Sequence, residues 1–250
     1  MVTSRLCTAL VLCLIITGAG VRSAAAKPPP PVAAVFLVES SRLFMGNGSY
    51  ERPNDCRGYT GSRPCRIVKH IPGAYQETRA ALGDGRQAVA ARLGPAAQAA
   101  LVTYGVHTRV LAPLGPARRV TGKRLGSQRS FAHENHDDLL GGLEAAFDLL
   151  DKAGADRKVV FVIGGGVLKE DVRAPLKARF AAAGIAIVFL ELHPSMELLP
   201  LDQDTLDSLG RQAVALTRGD DGSRAVSVAS PAALASALQA EVDRWRTATP

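Results

Sequence analysis

Two apolar runs end in residues that could hold an ion or a reacting group. Val32-Ala33-Ala34-Val35-Phe36-Leu37-Val38 leads into Glu39-Ser40-Ser41, a carboxylate followed by two hydroxyls. Val159-Val160-Phe161-Val162-Ile163 leads into Gly164-Gly165-Gly166, where only main-chain groups are on offer. Oxygen donors at a strand end suit a hard divalent cation, which takes several oxygen ligands. A serine there is a nucleophile only if a base stands beside it.

A third cluster, His133-Glu134-Asn135-His136-Asp137-Asp138, gathers imidazoles and carboxylates. It misses the zinc-protease spacing His-Glu-x-x-His by one position, because Asp137 stands where the second histidine would fall. The two histidines therefore do not share one helical face. The segment reads as a helix start, with Asn135 or Asp137 capping exposed N–H groups and Asp138 favoured by the positive dipole end. The glycine run lacks the last glycine of Gly-x-Gly-x-x-Gly, since Lys169 takes that place, and no dinucleotide site is expected. No Gly-x-Ser-x-Gly elbow marks a catalytic serine.

The elements that must position these groups begin after an export signal. Arg5 leads an apolar run from Leu6 to Ile16, and Ala24-Ala25-Ala26 precedes Lys27, the order of a secretory signal peptide cleaved after Ala26. That run is shorter than the ~18–20 residues that span a bilayer, so no membrane span is expected after cleavage. The expected organisation is a signal peptide over 1–26, a Pro-rich spacer over 27–31 and one domain over 32–247, with a periplasmic or secreted location. Cys56 and Cys65 are the cysteines left after cleavage, and an even count in an exported chain reads as one disulfide. It would clasp a loop inside a polar insertion over 44–72.

The formal net charge is +7, or +5 once Arg5 and Arg22 leave with the signal. The excess reads as spread over loops and helix faces for solubility, so nucleic acid is not an expected partner.

Strand-like and helix-like segments then alternate. A helix is expected over 74–93, with Gly83 and Gly85 as interruptions, then a hairpin of 98–104 and 106–111 about Gly105. Residues 113–130 are basic and weakly patterned. Leu139, Leu140, Leu143, Ala146, Phe147 and Leu150 make a helical face over 137–152. Further helices are expected over 167–183, 205–216 and 231–245, and strands over 159–163, 185–190 and 224–228. Continuous apolar strands between amphipathic helices give a three-layer α/β/α sandwich, its doubly wound sheet mostly parallel with one antiparallel edge strand.

This order resembles the von Willebrand factor A-type domain over nearly all of residues 32–245. Ala100-Leu101-Val102-Thr103-Tyr104-Gly105 is similar to that family's second strand, Asp137-Asp138-Leu139-Leu140-Gly141-Gly142-Leu143 to the start of its third helix, and Gly184-Ile185-Ala186-Ile187-Val188 to its fifth strand. In the family, Asp-x-Ser-x-Ser after the first strand, a Thr before the third helix and Asp-Gly after the fourth strand hold a divalent cation. Its open position takes a partner's carboxylate at this metal-ion-dependent adhesion site. The resemblance puts Glu39 at the first Asp, Ser41 at the first Ser, Leu43 at the second Ser, Asp137 at the Thr and Gly165 at the later carboxylate. Leu43 and Gly165 bring no side-chain oxygen, and Glu39 is one methylene longer than Asp, so the site is degenerate.

The resemblance implies an exported, non-enzymatic binding domain that meets a protein partner through its top-face loops. Arg42, Arg57, Tyr59, Arg63, His136 and Gly165 are the candidate contacts. No cofactor is expected. The alternatives are metal-dependent adhesion through a divalent cation on a modified set, Glu39, Ser41 and Asp137, and a hydrolase on a similar sandwich with a serine or metal-activated water near Glu39 and His136.

Overall fold

The structure, a computed structural model, describes residues 31–40, 47–50, 67–70, 74–105, 107–127, 138–166, 168–192, 213–217 and 222–248. In chain order the elements are β1 (Val32–Glu39), β2 (Asn47–Tyr50), β3 (Ile67–His70), α1 (Ala74–Leu82), β4 (Gln98–Tyr104), β5 (Arg109–Pro116), α2 (Leu139–Asp151), β6 (Arg157–Gly164), α3 (Glu170–Ala182), β7 (Ile185–Glu191), β8 (Arg224–Ser227) and α4 (Leu234–Thr247). The main sheet has the order β5-β4-β1-β6-β7-β8 and is parallel except for β5. Strands β2 and β3 pair antiparallel as a separate ribbon inside the polar insertion. The signal segment and both mature cysteines lie outside the described residues.

All eight residues of β1 are buried, as a strand covered by helices on both faces requires. Its side chains alternate with the two-residue period of a strand. Ala34, Phe36 and Val38 enter the layer under α1 and α4, while Ala33, Val35 and Leu37 enter the layer under α2 and α3. Phe36 stacks on Phe161 at 5.4 Å between ring centroids, and Trp245 of α4 meets Phe161 edge-on at 6.4 Å. On the other face Phe147 and Phe180 join α2 to α3 edge-to-face at 5.3 Å. Arg157 donates to the carbonyls of Trp245 and Arg246, and its guanidinium lies 4.4 Å from the centroid of a Trp245 ring. A cation thus satisfies carbonyls that the end of α4 leaves open.

The expected α/β/α sandwich is the one observed, and the differences are local. Helix α1 stops at Gly83, whose φ of +65° is the left-handed conformation that ends helices, and 3-10 turns at Gly85–Gln87 and Val89–Leu93 replace its continuation. Strand β5 runs further than the expected hairpin and includes Pro113 and Pro116, which an edge strand tolerates because its outer N–H groups need no ladder partner. Residues 117–127 are two 3-10 turns rather than unpatterned loop, with Ala117, Val120 and Leu125 buried. The three-residue step from Ala117 to Val120 is the period of that helix. The cap of α2 is Asp138, whose Oδ1 accepts from the Gly141 N–H at 2.9 Å. Charge is also distributed differently: the cations of residues 85–127 gather along one sheet edge rather than spreading evenly. Among the described residues no helix is long and apolar enough to cross a membrane.

At the far edge, Glu241 of α4 is 7% exposed and meets Arg224 Nε of β8 at 3.2 Å. Burial raises the Glu241 carboxyl above its ordinary value, and Arg224 offsets part of that rise. A carboxyl with a raised folded value adds stability that is complete below its unfolded pKa and is lost as pH rises through the folded one. Urea unfolding of Glu241→Gln should therefore gain on the wild type as pH rises above the ordinary glutamate value of about 4. A pH-independent difference would remove this account of Glu241.

Candidate functional site

The chain order of the sheet reverses between β1 and β6: β4 and β5 lie on one side, β7 and β8 on the other. Ligands of open α/β sheets bind beyond the carboxyl ends of the strands at such a switch point. In this protein those ends are Glu39 of β1 and Gly164-Gly165 after β6.

The crevice is bridged from side to side. Glu39 is 7% exposed, and its Oε2 accepts from the Gly165 N–H at 2.7 Å. The Tyr104 hydroxyl at the end of β4, fully buried, donates to the Gly165 carbonyl at 2.6 Å. Gly165 is thus held through both main-chain groups, by a side chain from β1 and another from β4. The Ser40 N–H and Oγ both donate to the Tyr104 carbonyl, at 2.6 and 2.8 Å, tying the end of β1 to β4.

Two glycines make this arrangement possible. Gly164 has φ +139°, and a Cβ there would come within 2.6 Å of Glu39 Oε2 and 2.7 Å of the Tyr104 hydroxyl. Both the backbone conformation and the space demand glycine. Gly142, in the first turn of α2, lets that helix approach Tyr104 so closely that a Cβ would meet the Tyr104 Cβ at 2.7 Å. The Asp138 N–H donates to the Gly105 carbonyl at 2.8 Å, joining the start of α2 to the loop after β4.

Of the residues singled out in the sequence, the structure brings Glu39 and Gly165 into direct contact. Ser41, Arg42, Cys56, Tyr59, Arg57, Arg63, Cys65, His136 and Asp137 lie outside the described residues. Ser40 and Gly164 enter the sequence reading as members of the two strand-end runs, and Tyr104 only as part of a strand. Tyr104 had one legible signal, a hydroxyl-bearing aromatic closing an otherwise apolar strand.

A hard cation needs several oxygen ligands free to face it. The described part of the crevice supplies one carboxylate engaged by an amide N–H, and a tyrosyl hydroxyl turned to a carbonyl. Where the resemblance expects a carboxylate, Gly165 presents an N–H, which attracts an anion rather than a cation. Among the described residues no group of three or more His, Cys, Asp or Glu is placed to hold a metal. The described donors do not fit that shell.

No family model and no curated protein matches the sequence. Solved structures do match. The VWA domain of SpRpn10 aligns at TM-score 0.53 and 18% identity, over 85% of this chain and 94% of that one. BatB from Bacteroides thetaiotaomicron aligns at 0.56 and 10% identity, over 87% of this chain and 100% of that one. Proximal thread matrix protein 1 from the mussel byssus, described with a zinc-occupied MIDAS motif, aligns at 0.55 and 12% identity, over 87% of this chain and 46% of that one. The chain has the von Willebrand factor A-type fold.

The bridge is testable by its stability. Glu39→Ala leaves the Gly165 N–H without its charged acceptor and should cost about 1.5–3 kcal/mol in urea unfolding. Glu39→Gln keeps an oxygen in reach and should cost less. Gly164→Ala should cost about 2–4 kcal/mol through strained backbone and overpacking. Equal stability of all three with the wild type would mean that the bridge is not made.

Proposed function

We propose that this protein is an exported, non-enzymatic binding domain that meets a protein partner through the loops at the carboxyl ends of its strands and works without a standard metal site. The observation that carries the reading is the contact between Glu39 Oε2 and the Gly165 N–H. The carboxylate at the position where the fold's metal-binding members begin their ligand set is committed to the neighbouring strand end. A vWA-like fold supports a protein-interaction role, and fold analogy alone leaves the partner open. The signal-like run from Leu6 to Ile16 supports export. The Ser40 hydroxyl donates a hydrogen bond to the Tyr104 carbonyl, an arrangement suited to holding a loop rather than to attacking a substrate.

The insertion around Cys56 and Cys65 is the part of the top face proposed to set specificity. A short disulfide-closed loop presents its side chains already ordered, which lowers the entropy lost on binding.

Metal-dependent adhesion through Glu39, Ser41 and Asp137 is the rival reading, favoured by the zinc-occupied motif of the byssus protein. Thermal unfolding of the protein in EDTA and then in millimolar Mg²⁺, Ca²⁺, Mn²⁺ or Zn²⁺ separates the two. A cation at 100 times its dissociation constant would add about 2.7 kcal/mol of stability. The expected result is no shift with any ion. A rise in Tm that Glu39→Ala and Asp137→Ala both abolish would overturn the metal-free reading. A partner captured in EDTA should then be lost by the double variant Cys56→Ser/Cys65→Ser, with the Tm of the domain kept near wild type.

A further inference from the structure

The chain's 30 Lys and Arg exceed its 23 Asp and Glu by seven. Eight of those cations fall between Gly85 and His133, a stretch without one Asp or Glu, so the rest of the chain carries a net charge of −1. The whole positive excess therefore resides in one contiguous stretch.

The fold makes that stretch one side of the molecule. It comprises the 3-10 turns Gly85–Gln87 and Val89–Leu93, strand β4, the outermost strand β5, and the 3-10 turns Ala117–Arg119 and Gly122–Ser127. The turn bearing Arg86 packs against the turn bearing Arg118 and Arg119, and the turn bearing Lys123 and Arg124 packs against β5. Arg124 is anchored there by donating to the Leu111 carbonyl at 3.0 Å. Arg86, Arg92, Arg109, Arg118, Arg119, Lys123 and Arg124 are all exposed. Lys123 meets Asp84 at 3.7 Å and Arg92 meets Asp243 at 3.2 Å. Among the described residues, Arg86, Arg109, Arg118 and Arg119 have no acidic partner.

We propose that this edge is a docking surface for an extended acidic segment of another polypeptide. Gathered cations repel one another and raise the local concentration of anionic partners. Seven of the eight cations are arginines, whose planar guanidinium matches a carboxylate with paired hydrogen bonds. β5 has no described strand on its outer side, so an extended chain has room to lie along it. Pro113 and Pro116 bring no N–H and the Leu111 carbonyl takes Arg124, so the arginine side chains rather than a main-chain ladder carry the contact. Beside Arg109 on that strand, Val110 is 47% exposed, an apolar contact within the charged border. Nucleic acid fits less well: Tyr104, the one Phe, Tyr or Trp in the described part of the stretch, is fully buried, which leaves bases only His107 and the arginines to stack on. A membrane surface fits less well too, because a single exposed valine offers little apolar area to insert. The surface is separate from the Glu39–Gly165 crevice and does not rest on the function proposed for the top-face loops.

Fluorescence anisotropy of the full chain with a labelled peptide of alternating glutamate and threonine tests the proposal. The same peptide with glutamine for glutamate, an oligothymidylate of equal charge and phosphatidylglycerol vesicles serve as comparators. The acidic peptide should bind more tightly than any comparator, and more weakly as salt is raised. The quadruple variant Arg86→Gln/Arg109→Gln/Arg118→Gln/Arg119→Gln should bind it at least ~10-fold more weakly, because four exposed charges that act together on one bound segment are removed at once. The control Lys152→Gln/Lys169→Gln/Arg173→Gln/Arg244→Gln removes equal charge outside the stretch and should bind within about twofold of the wild type, since distant charges act only through a screened field. If the quadruple variant does not fold, Arg118→Gln/Arg119→Gln in the exposed turn should show a smaller loss of the same sign. Equal weakening by the control, no weakening by the edge variants, or binding of oligothymidylate or vesicles as tight as that of the peptide would each overturn the proposal.

Discussion

A carboxylate at the end of a strand buried on both faces has to find a hydrogen-bond donor. Unpaired, such a charge carries a desolvation cost that a domain of ordinary stability tolerates poorly. Glu39 meets this constraint by reaching to the Gly165 N–H at the end of the adjacent strand. Its length matters, because the extra methylene relative to aspartate lets the carboxylate cross the switch point between β1 and β6. Tyr104 completes the join from the other neighbour of β1, so three adjacent strand ends converge on one glycine.

The rest of the top face follows from that convergence. Gly164 must lack a side chain because Glu39 and Tyr104 occupy its space, and Gly142 must lack one because α2 closes directly over Tyr104. Asp138 then serves two purposes: its main chain fastens α2 to the loop after β4, and its carboxylate caps the helix. Two of the positions that the resemblance places in a cation's ligand set, Glu39 and Gly165, are hydrogen-bond partners of one another. The crevice is braced across the ends of β4, β1 and β6.

The architecture was legible because the apolar runs are unambiguous. A strand such as Val32–Glu39, apolar at nearly every position, has to be central in a covered sheet, and the helical faces of α2 and α4 are as plain. Glu39 and Gly165 were legible as neighbours in kind, through the order of the motif they replace. Tyr104 offered only a hydroxyl on an aromatic at a strand end, and such a residue reads as core until the strand beside it is known. The 3-10 turns after β5 were also hidden, because a three-residue apolar step over so short a stretch does not rise above loop composition.

The amino-acid order by itself determined the layered α/β class, the central place of β1, and the carboxylate and hydroxyls of Glu39-Ser40-Ser41 at its end. Each of these depends on local composition and period, which survive without knowledge of any partner. Tertiary structure decided that Glu39 is engaged by Gly165, that Tyr104 holds the same residue from the other side, and that a run of arginines forms one exposed edge. Those outcomes depend on which strands lie side by side: β4, β1 and β6 are far apart in the chain and adjacent in the sheet. No spacing along the sequence encodes that adjacency, so only the assembled sheet could place these groups together.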